Sequence, residues 1–387
     1  MIEELADYPP EQASHPRSKD LAVTMQDAAR TEDKGAQPDP EHPDFFVPAE
    51  PRSAARGGSR ASVKWPRDDR DAPDYAFMAN LPEDATFDLN SETLETLFET
   101  GRYRPDRQNG VIAFALRGAT LVGGDQVEDA QSVPLMTTRP DHRNFRCVLG
   151  FYFPQSKRLH AYTGSTVPCR QAIAGYASGG SAANMLPTGL HTFYIWRHRN
   201  LQPALRMGLS SADPESGAKT TVLRSRNNGV METQDIFDLS TPYDNVHCSY
   251  YLSEQDNVGA AFSSWGCLTV RGSKAPSDQW ARFQSVLNTL GSKKRVDLLL
   301  TTGKEAAFAA KGEQTDNLVA LRAGSRGAEV EKLQSHLGLT PTGYLGANTL
   351  DKMTGAERRH SDNLGKGKKA TGVYTLDLDA STGWGVF

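Results

Sequence analysis

Four short segments constrain the fold more than any other feature of the chain. Val111–Leu116, Cys147–Phe153, Leu159–Tyr162 and His191–Trp196 are dense in aromatic and branched apolar residues, and each is bounded by Gly, Pro or Asn. Such side chains pack well on a pleated surface, and the punctuation turns the chain back on itself. Strands spaced this way, with turn chemistry between them, predict an antiparallel sandwich or a half-open barrel and not alternating βαβ units.

Helical signals flank this β-rich stretch. Asn90-Ser91-Glu92 followed by Leu94, Leu97 and Phe98 predicts a capped amphipathic helix, with the Asn or Ser oxygen taking up the first free N–H groups. Gln279–Leu290 places Trp280, Phe283, Val286, Leu287 and Leu290 on one helical face and is expected to pack against the sheet. Order is expected from about Tyr75. The residues before it, 1–74, are rich in Pro, Asp, Glu, Arg and Ser, with few apolar points, and read as a disordered arm. The fold class expected is therefore mainly β over residues 75–300, with flanking helices. A linker is expected over 301–315, and a small all-α domain over 316–387.

At 387 residues the chain can bury one large core and a smaller one. A formal net charge of -4 gives no basic footprint for nucleic acid, and no apolar run is long enough to span a bilayer. The acidic start, Met1–Asp7, lacks the positive and apolar regions of a secretory signal, so the expectation is cytoplasmic residence or export by a route that reads no such signal. Four cysteines, Cys147, Cys169, Cys248 and Cys267, are too few and too scattered for a disulfide scaffold or a Cys-x-x-Cys metal site. Neither a metal nor an organic cofactor is expected.

Chemistry concentrates in Asp244-Asn245-Val246-His247 and Ser264-Trp265-Gly266-Cys267. A thiol becomes a useful nucleophile when a base or a positive field generates thiolate, so a His upstream of a Cys in a small-residue turn is the minimum kit for covalent acyl transfer. That order, His before Cys, disfavours papain-like and NlpC-type peptidases. Trp265 either walls a groove beside the thiol or packs beneath the turn, Ser264 either bonds the His247 ring or caps its own turn, and Asn245 and Tyr250 flank the base and are candidates to orient it.

The region resembles a divergent L,D-transpeptidase catalytic domain. Ser264, Gly266 and Cys267 match the Ser-His-Gly-Cys signature, Trp265 replaces its second position, and His247 stands where that family has its base. Leu186-Pro187-Thr188-Gly189 resembles the family's Thr-Pro-x-Gly turn, and Gly164–Pro168 the strand before it. The resemblance implies a β-sandwich in which Cys267 attacks the carbonyl between the diamino acid of a peptidoglycan stem and its terminal D-alanine. His247 would act as base, and the N–H groups of Gly266 and Cys267 would receive the oxyanion. Where the family has an arginine two residues after its cysteine, this chain has Thr269, with Arg271 as the expected substitute.

The tail resembles a peptidoglycan-binding domain through Leu321, Gly324, Gly327, Val330, Leu333, Gln334, Leu337, Gly338, Thr342, Gly343, Gly346 and Thr349. Thr342-Gly343-Tyr344 and Thr371–Thr375 form a weak internal echo. Together the resemblances imply stem peptides and glycan as partners and the cell envelope as site of action. Delivery would be by a contractile injection machine or at phage lysis. The competing expectation from a different class is a non-catalytic tethering protein built on a degenerate enzyme fold.

Overall fold

The computed structural model describes residues 84–140, 142, 144–169, 172, 183–198, 201–224, 235–249, 264–272, 278–312 and 315–387. It also describes the backbone of an antiparallel strand pair, Gln37–Asp39 with His42–Val47. Apart from that pair, the arm expected over 1–74 lies outside the described residues.

The chain is mainly β. Its principal sheet has nine strands, in the order Leu268–Val270, Asn245–Cys248, Leu201–Arg206, Gly189–His198, Arg295–Thr302, Ile112–Arg117, Cys147–Phe153, Arg158–Ser165 and Gln126–Ala130. The first strand also pairs with the eighth, through Thr269 opposite Ser165 and Val270 opposite Gly164. Eight of the nine strands therefore form a closed ring, and Gln126–Ala130 extends it outside. Sequence had left sandwich and half-open barrel both open, and the ladder makes a barrel-like sheet. Closure satisfies edge N–H and C=O groups that an open sheet would expose. At the seam the strands approach so closely that a Cβ on Gly164 would lie 2.2 Å from the Thr269 carbonyl oxygen, so only glycine fits.

Residues inside the ring include Leu149, Phe151, Phe193, Ile195, Val246, Cys248, Leu268 and Val270. The helix Gln279–Leu290 buries Trp280, Phe283, Val286 and Leu287 in the same core, with Leu290 partly buried against it. Phe283 packs on Phe151 with ring centroids 4.4 Å apart. Ile112–Arg117 is buried on both faces, which explains an unbroken apolar run where a half-exposed strand would alternate. Its outer face, through Ile112, Phe114 and Leu116, meets the helix Ser91–Thr100 and a three-stranded sheet of Thr86–Asn90, Ser132–Thr137 and Ala119–Leu121. Asn90 caps the helix as expected, its Oδ1 accepting the Thr93 N–H at 2.9 Å.

The expected linker is instead structural. Thr301 and Thr302 end a central barrel strand, and Gly303–Lys311 is a helix closed by a capping box between Thr302 and Glu305. Thr-x-x-Glu is a helix-start signal that a reading based on apolar periodicity passes over, because this helix is alanine-rich and gives weak contrast between its faces.

The C-terminal residues have their own core of Leu321, Val330, Leu333, Leu345, Leu350, Met353, Tyr374 and Val386. Three helices, Ala328–His336, Ala347–Asn363 and Leu376–Thr382, surround it, and Ala320–Leu321 pairs with Tyr374–Thr375, so the unit is helical with one small strand pair. It docks on the barrel through a buried ion pair. Arg322, 4 % exposed by side chain, meets Glu305, 3 % exposed, and Arg322 Nη1 also donates to Thr188 Oγ1 at 3.1 Å. The Leu190 N–H donates to the Ala323 carbonyl at 2.8 Å, and Ser325 Oγ donates to the Gly101 carbonyl at 2.7 Å. A further small sheet, Asn184–Met185, Thr220–Arg224 and Ile236–Ser240, touches the helix Ala347–Asn363, and Thr221 Oγ1 donates to the Ala347 carbonyl.

Two turns of this unit follow one plan. Gln334 Oε1 accepts the N–H groups of Thr342 and Gly343 at 2.7 and 3.0 Å, while its Nε2 donates to Thr342 Oγ1, Tyr344 O and Thr349 Oγ1. At the echo of that sequence, Glu357 accepts the N–H groups of Thr371 and Gly372 at 3.2 and 3.0 Å and the Thr371 hydroxyl at 2.9 Å. Burial pushes the Glu357 carboxyl up to about 7, against the pull of those donors.

Candidate active site

The alternation of the barrel strands sorts the candidate residues. Val246, Cys248, Leu268 and Val270 point into the core, so Asn245 and His247 on one strand share the outer face with Thr269 on its parallel neighbour, and Cys267 lies in the turn immediately before that neighbour. His247 lies opposite Thr269 in the ladder, two residues along from Cys267. Cys267 is the partly exposed cysteine; Cys147, Cys169 and Cys248 are buried. Burial raises the Cys147 thiol, so that residue resists ionisation.

His247 is buried, and its Nδ1 lies 2.6 Å from the Cys248 carbonyl oxygen. A carbonyl only accepts, so in the neutral ring the proton is on Nδ1 and Nε2 keeps its lone pair. The other face of the ring stacks on His198, with centroids 4.2 Å apart and planes 6° from parallel. Sequence analysis assigns His198 no role. Its strand has an irregularity between Trp196 and His198, so the alternation that turns Phe193 and Ile195 to the core does not extend to His198, and its place beside His247 comes from tertiary pairing. His191 is a core histidine, its Nε2 2.8 Å from the Pro187 carbonyl and its pKa lowered to about 4 by burial.

The turn before the thiol is held from inside. Ser264 Oγ donates to the Cys267 carbonyl at 2.5 Å and accepts the Gly266 N–H at 3.2 Å, so Ser264 caps its own turn. One expectation changes in consequence. The Gly266 N–H is occupied by a hydroxyl and is not a free oxyanion donor in this conformation. Glycine is required at 266 because a Cβ would lie 2.3 Å from Asn184 Oδ1. Asn184 in turn donates from Nδ2 to both oxygens of Asp244 at 3.0 Å, and its N–H donates to the Trp265 carbonyl at 3.1 Å. Burial raises the Asp244 carboxyl to about 6, partly offset by the Asn184 bond. Neither Asn184 nor Asp244 was assigned a role from sequence. Asn184 is 60 residues from its partner in a strand of two residues, a pairing that no local pattern announces.

The remaining candidates divide. Trp265 is partly buried against Phe145, Val167, Met185 and Phe237, the packing alternative of the sequence reading. Thr269 has no exposed surface through which to meet a substrate. Arg271 Nη1 pairs with Asp125 Oδ1 at 2.8 Å, and its guanidinium lies 6.0 Å from the Phe145 ring centroid, so the expected carboxylate-binding arginine already has a carboxylate. Tyr250 lies outside the described residues.

Asn245 stands beside the thiol. Its Nδ2 donates to the Tyr243 carbonyl at 2.6 Å and lies 3.7 Å from Cys267 Sγ, a placement that favours thiolate. The carboxamide cannot be turned over, because its oxygen would then meet the Tyr243 carbonyl oxygen at that same short distance. Asn245 is 2 % exposed, and among the described residues its Oδ1 has no hydrogen-bond partner.

Comparison with known proteins finds no matching family model, no matching curated protein and no matching solved structure. No helix among the described residues is long and apolar enough to cross a membrane.

Proposed function

We propose that the chain is a peptidoglycan-acting cysteine acyl transferase. In this reading Cys267 attacks the carbonyl between the diamino acid and the terminal D-alanine of a tetrapeptide stem, forming a thioester and releasing D-alanine. The observation that carries it is the placement of the partly exposed Cys267 at the head of Leu268–Val270, the strand paired with the one that bears His247, whose Nδ1 is committed to the Cys248 carbonyl. An Nε2 lone pair is what a general base needs, first to take the thiol proton and then to return it to the departing amine. Resolution by a stem amine, a free D-amino acid or water gives cross-linking, exchange or carboxypeptidase activity. The C-terminal unit would hold the glycan, with action in the cell envelope and arrival by an injection or lysis route.

A second reading, a non-catalytic tether with a degenerate enzyme fold, draws support from the occupied Gly266 N–H and the Arg271–Asp125 pair. Incubation of wild-type and Cys267→Ala protein with tetrapeptide muropeptides, followed by mass spectrometry, separates the two. Loss of D-alanine or a 3-3 linked dimer with wild type alone supports the enzyme. Unchanged muropeptides in both samples, with retained binding to isolated walls, support the tether.

A further inference from the structure

The carboxamide of Asn245 is half satisfied. A buried acceptor left without a donor costs about 1–3 kcal/mol, and native interiors contain few such groups. Among the described residues three buried side-chain polar atoms lack partners; two are indole N–H groups of Trp196 and Trp280, and the third, Asn245 Oδ1, is the acceptor. This acceptor belongs to the group whose other end lies 3.7 Å from Cys267 Sγ.

We propose that Asn245 is a specificity-determining residue of the thiol site, its Nδ2 facing the sulfur and its Oδ1 accepting the amide N–H of the residue whose carbonyl is joined to Cys267. This deepens the proposed function and rests on Cys267 being the acylated thiol. The assignment follows from reach. In a thioester the acyl carbon is followed by Cα and then by the amide nitrogen, two bonds of about 1.5 Å each. A hydrogen bond adds about 2.9 Å. Donors farther along a bound peptide lie progressively beyond a carboxamide that already touches the sulfur. The ligand class is thus an acyl group with a secondary amide on its α-position. Stem peptides meet this requirement, whereas simple fatty acyl groups do not. The bond would form as the acyl group is seated, adding affinity for the acylated and acylating states together.

Thioester exchange tests this without requiring turnover of a stem peptide: the sulfur attacks the acyl carbonyl, forming a new C–S bond as the C–S bond to the departing benzyl thiolate breaks, so that Cα and the amide nitrogen follow the acylated carbon as in the proposed thioester. The probes are N-acetyl-alanine benzyl thioester and its N-methyl analogue. Methyl methanethiolsulfonate, which has no amide N–H, reports intrinsic thiol reactivity. The rate of labelling at Cys267 is read by peptide mass spectrometry after acid quenching of the full chain, in wild type and in Asn245→Ala and Asn245→Leu. Wild type is expected to react with the N–H probe about tenfold or more faster than with the N-methyl probe, once each is normalised to the thiosulfonate rate. In either variant the two thioesters should react alike. Brisk thiosulfonate labelling of Cys267 with equal thioester rates in wild type would overturn the inference and leave the acyl-transfer reading standing. A difference that persists undiminished in both variants would do the same. A Cys267 that no probe labels ahead of the buried thiols would overturn both. The wild-type comparison needs no substitution and is decisive even if the variants fold poorly.

Discussion

Gln334 and Asn245 carry the same functional group at the same depth, each 2 % exposed, and their surroundings treat them in opposite ways. Gln334 makes five hydrogen bonds that close the Thr342-Gly343 turn, using both ends of the amide. Asn245 uses its nitrogen on a carbonyl and a sulfur, and among the described residues its oxygen is left over. A saturated carboxamide serves the fold. An unsaturated one is costly to the fold, and the difference marks where a ligand would complete the structure.

Four substitutions put this contrast to the test. The largest effect is expected at the docking ion pair, which is saturated like Gln334 but charged. Glu305→Gln leaves the Arg322 charge buried without its counter-ion and should lower stability by about 3–5 kcal/mol in denaturant unfolding. A change below about 1 kcal/mol would mean that water already reaches the pair. Next, Gln334→Leu strips partners from the Thr342 and Gly343 N–H groups, and a loss of about 2–4 kcal/mol is expected. A neutral outcome would remove the basis for calling that amide structural.

Glu357→Gln tests what a charge adds to the same turn. The native carboxyl, raised to about 7, binds its proton more tightly than the unfolded chain does, so the native state loses stability as pH rises from about 4.5 through 7. The substitution should therefore raise the unfolding free energy at pH 8 by up to about 3 kcal/mol and leave it nearly unchanged at pH 4. Thermal melts across that range check the slope; a variant as pH-sensitive as wild type would assign the slope to another group. The smallest expected effect on stability is the most informative. Asn245→Leu should shift unfolding by no more than about 1 kcal/mol in either direction, because it removes an orphaned acceptor along with one good bond. Turnover of stem peptides by the same variant should fall about tenfold or more. A large stability loss with unaltered turnover would reverse the interpretation.

Legibility in sequence followed the range of the interactions. The helix Gln279–Leu290 and the strand Cys147–Phe153 match their expected bounds, because each is specified by a periodic run of its own residues. Gln334, Thr342 and Gly343 lie within ten residues of one another and were visible as a motif. Gly303–Lys311 was missed because its start is written in polar capping residues and its faces in alanine. At the thiol, Cys267 and His247 were legible as chemical types, whereas Asn184, Asp244 and His198 reach the site through pairings across the barrel and the small sheet. Arg271 shows the reverse problem: its parity put it in line with Cys267, and parity carries no information about Asp125, which arrives from a distant turn.

Leu268–Val270, the strand that follows Cys267, is also the strand that closes the ring, and on the side of Arg158–Ser165 it does so through two residue pairs. A short seam is where a cylinder first unzips, because opening it sacrifices the fewest cross-strand contacts. The amides of Thr269 and Val270 should then exchange with solvent ahead of those in Ile112–Arg117, while Leu268–Val270 stays paired with Asn245–Cys248 through three residue pairs. Thiol and imidazole would thus ride together on one flap, and gentle heating would loosen the wall of the barrel beside them without parting the two.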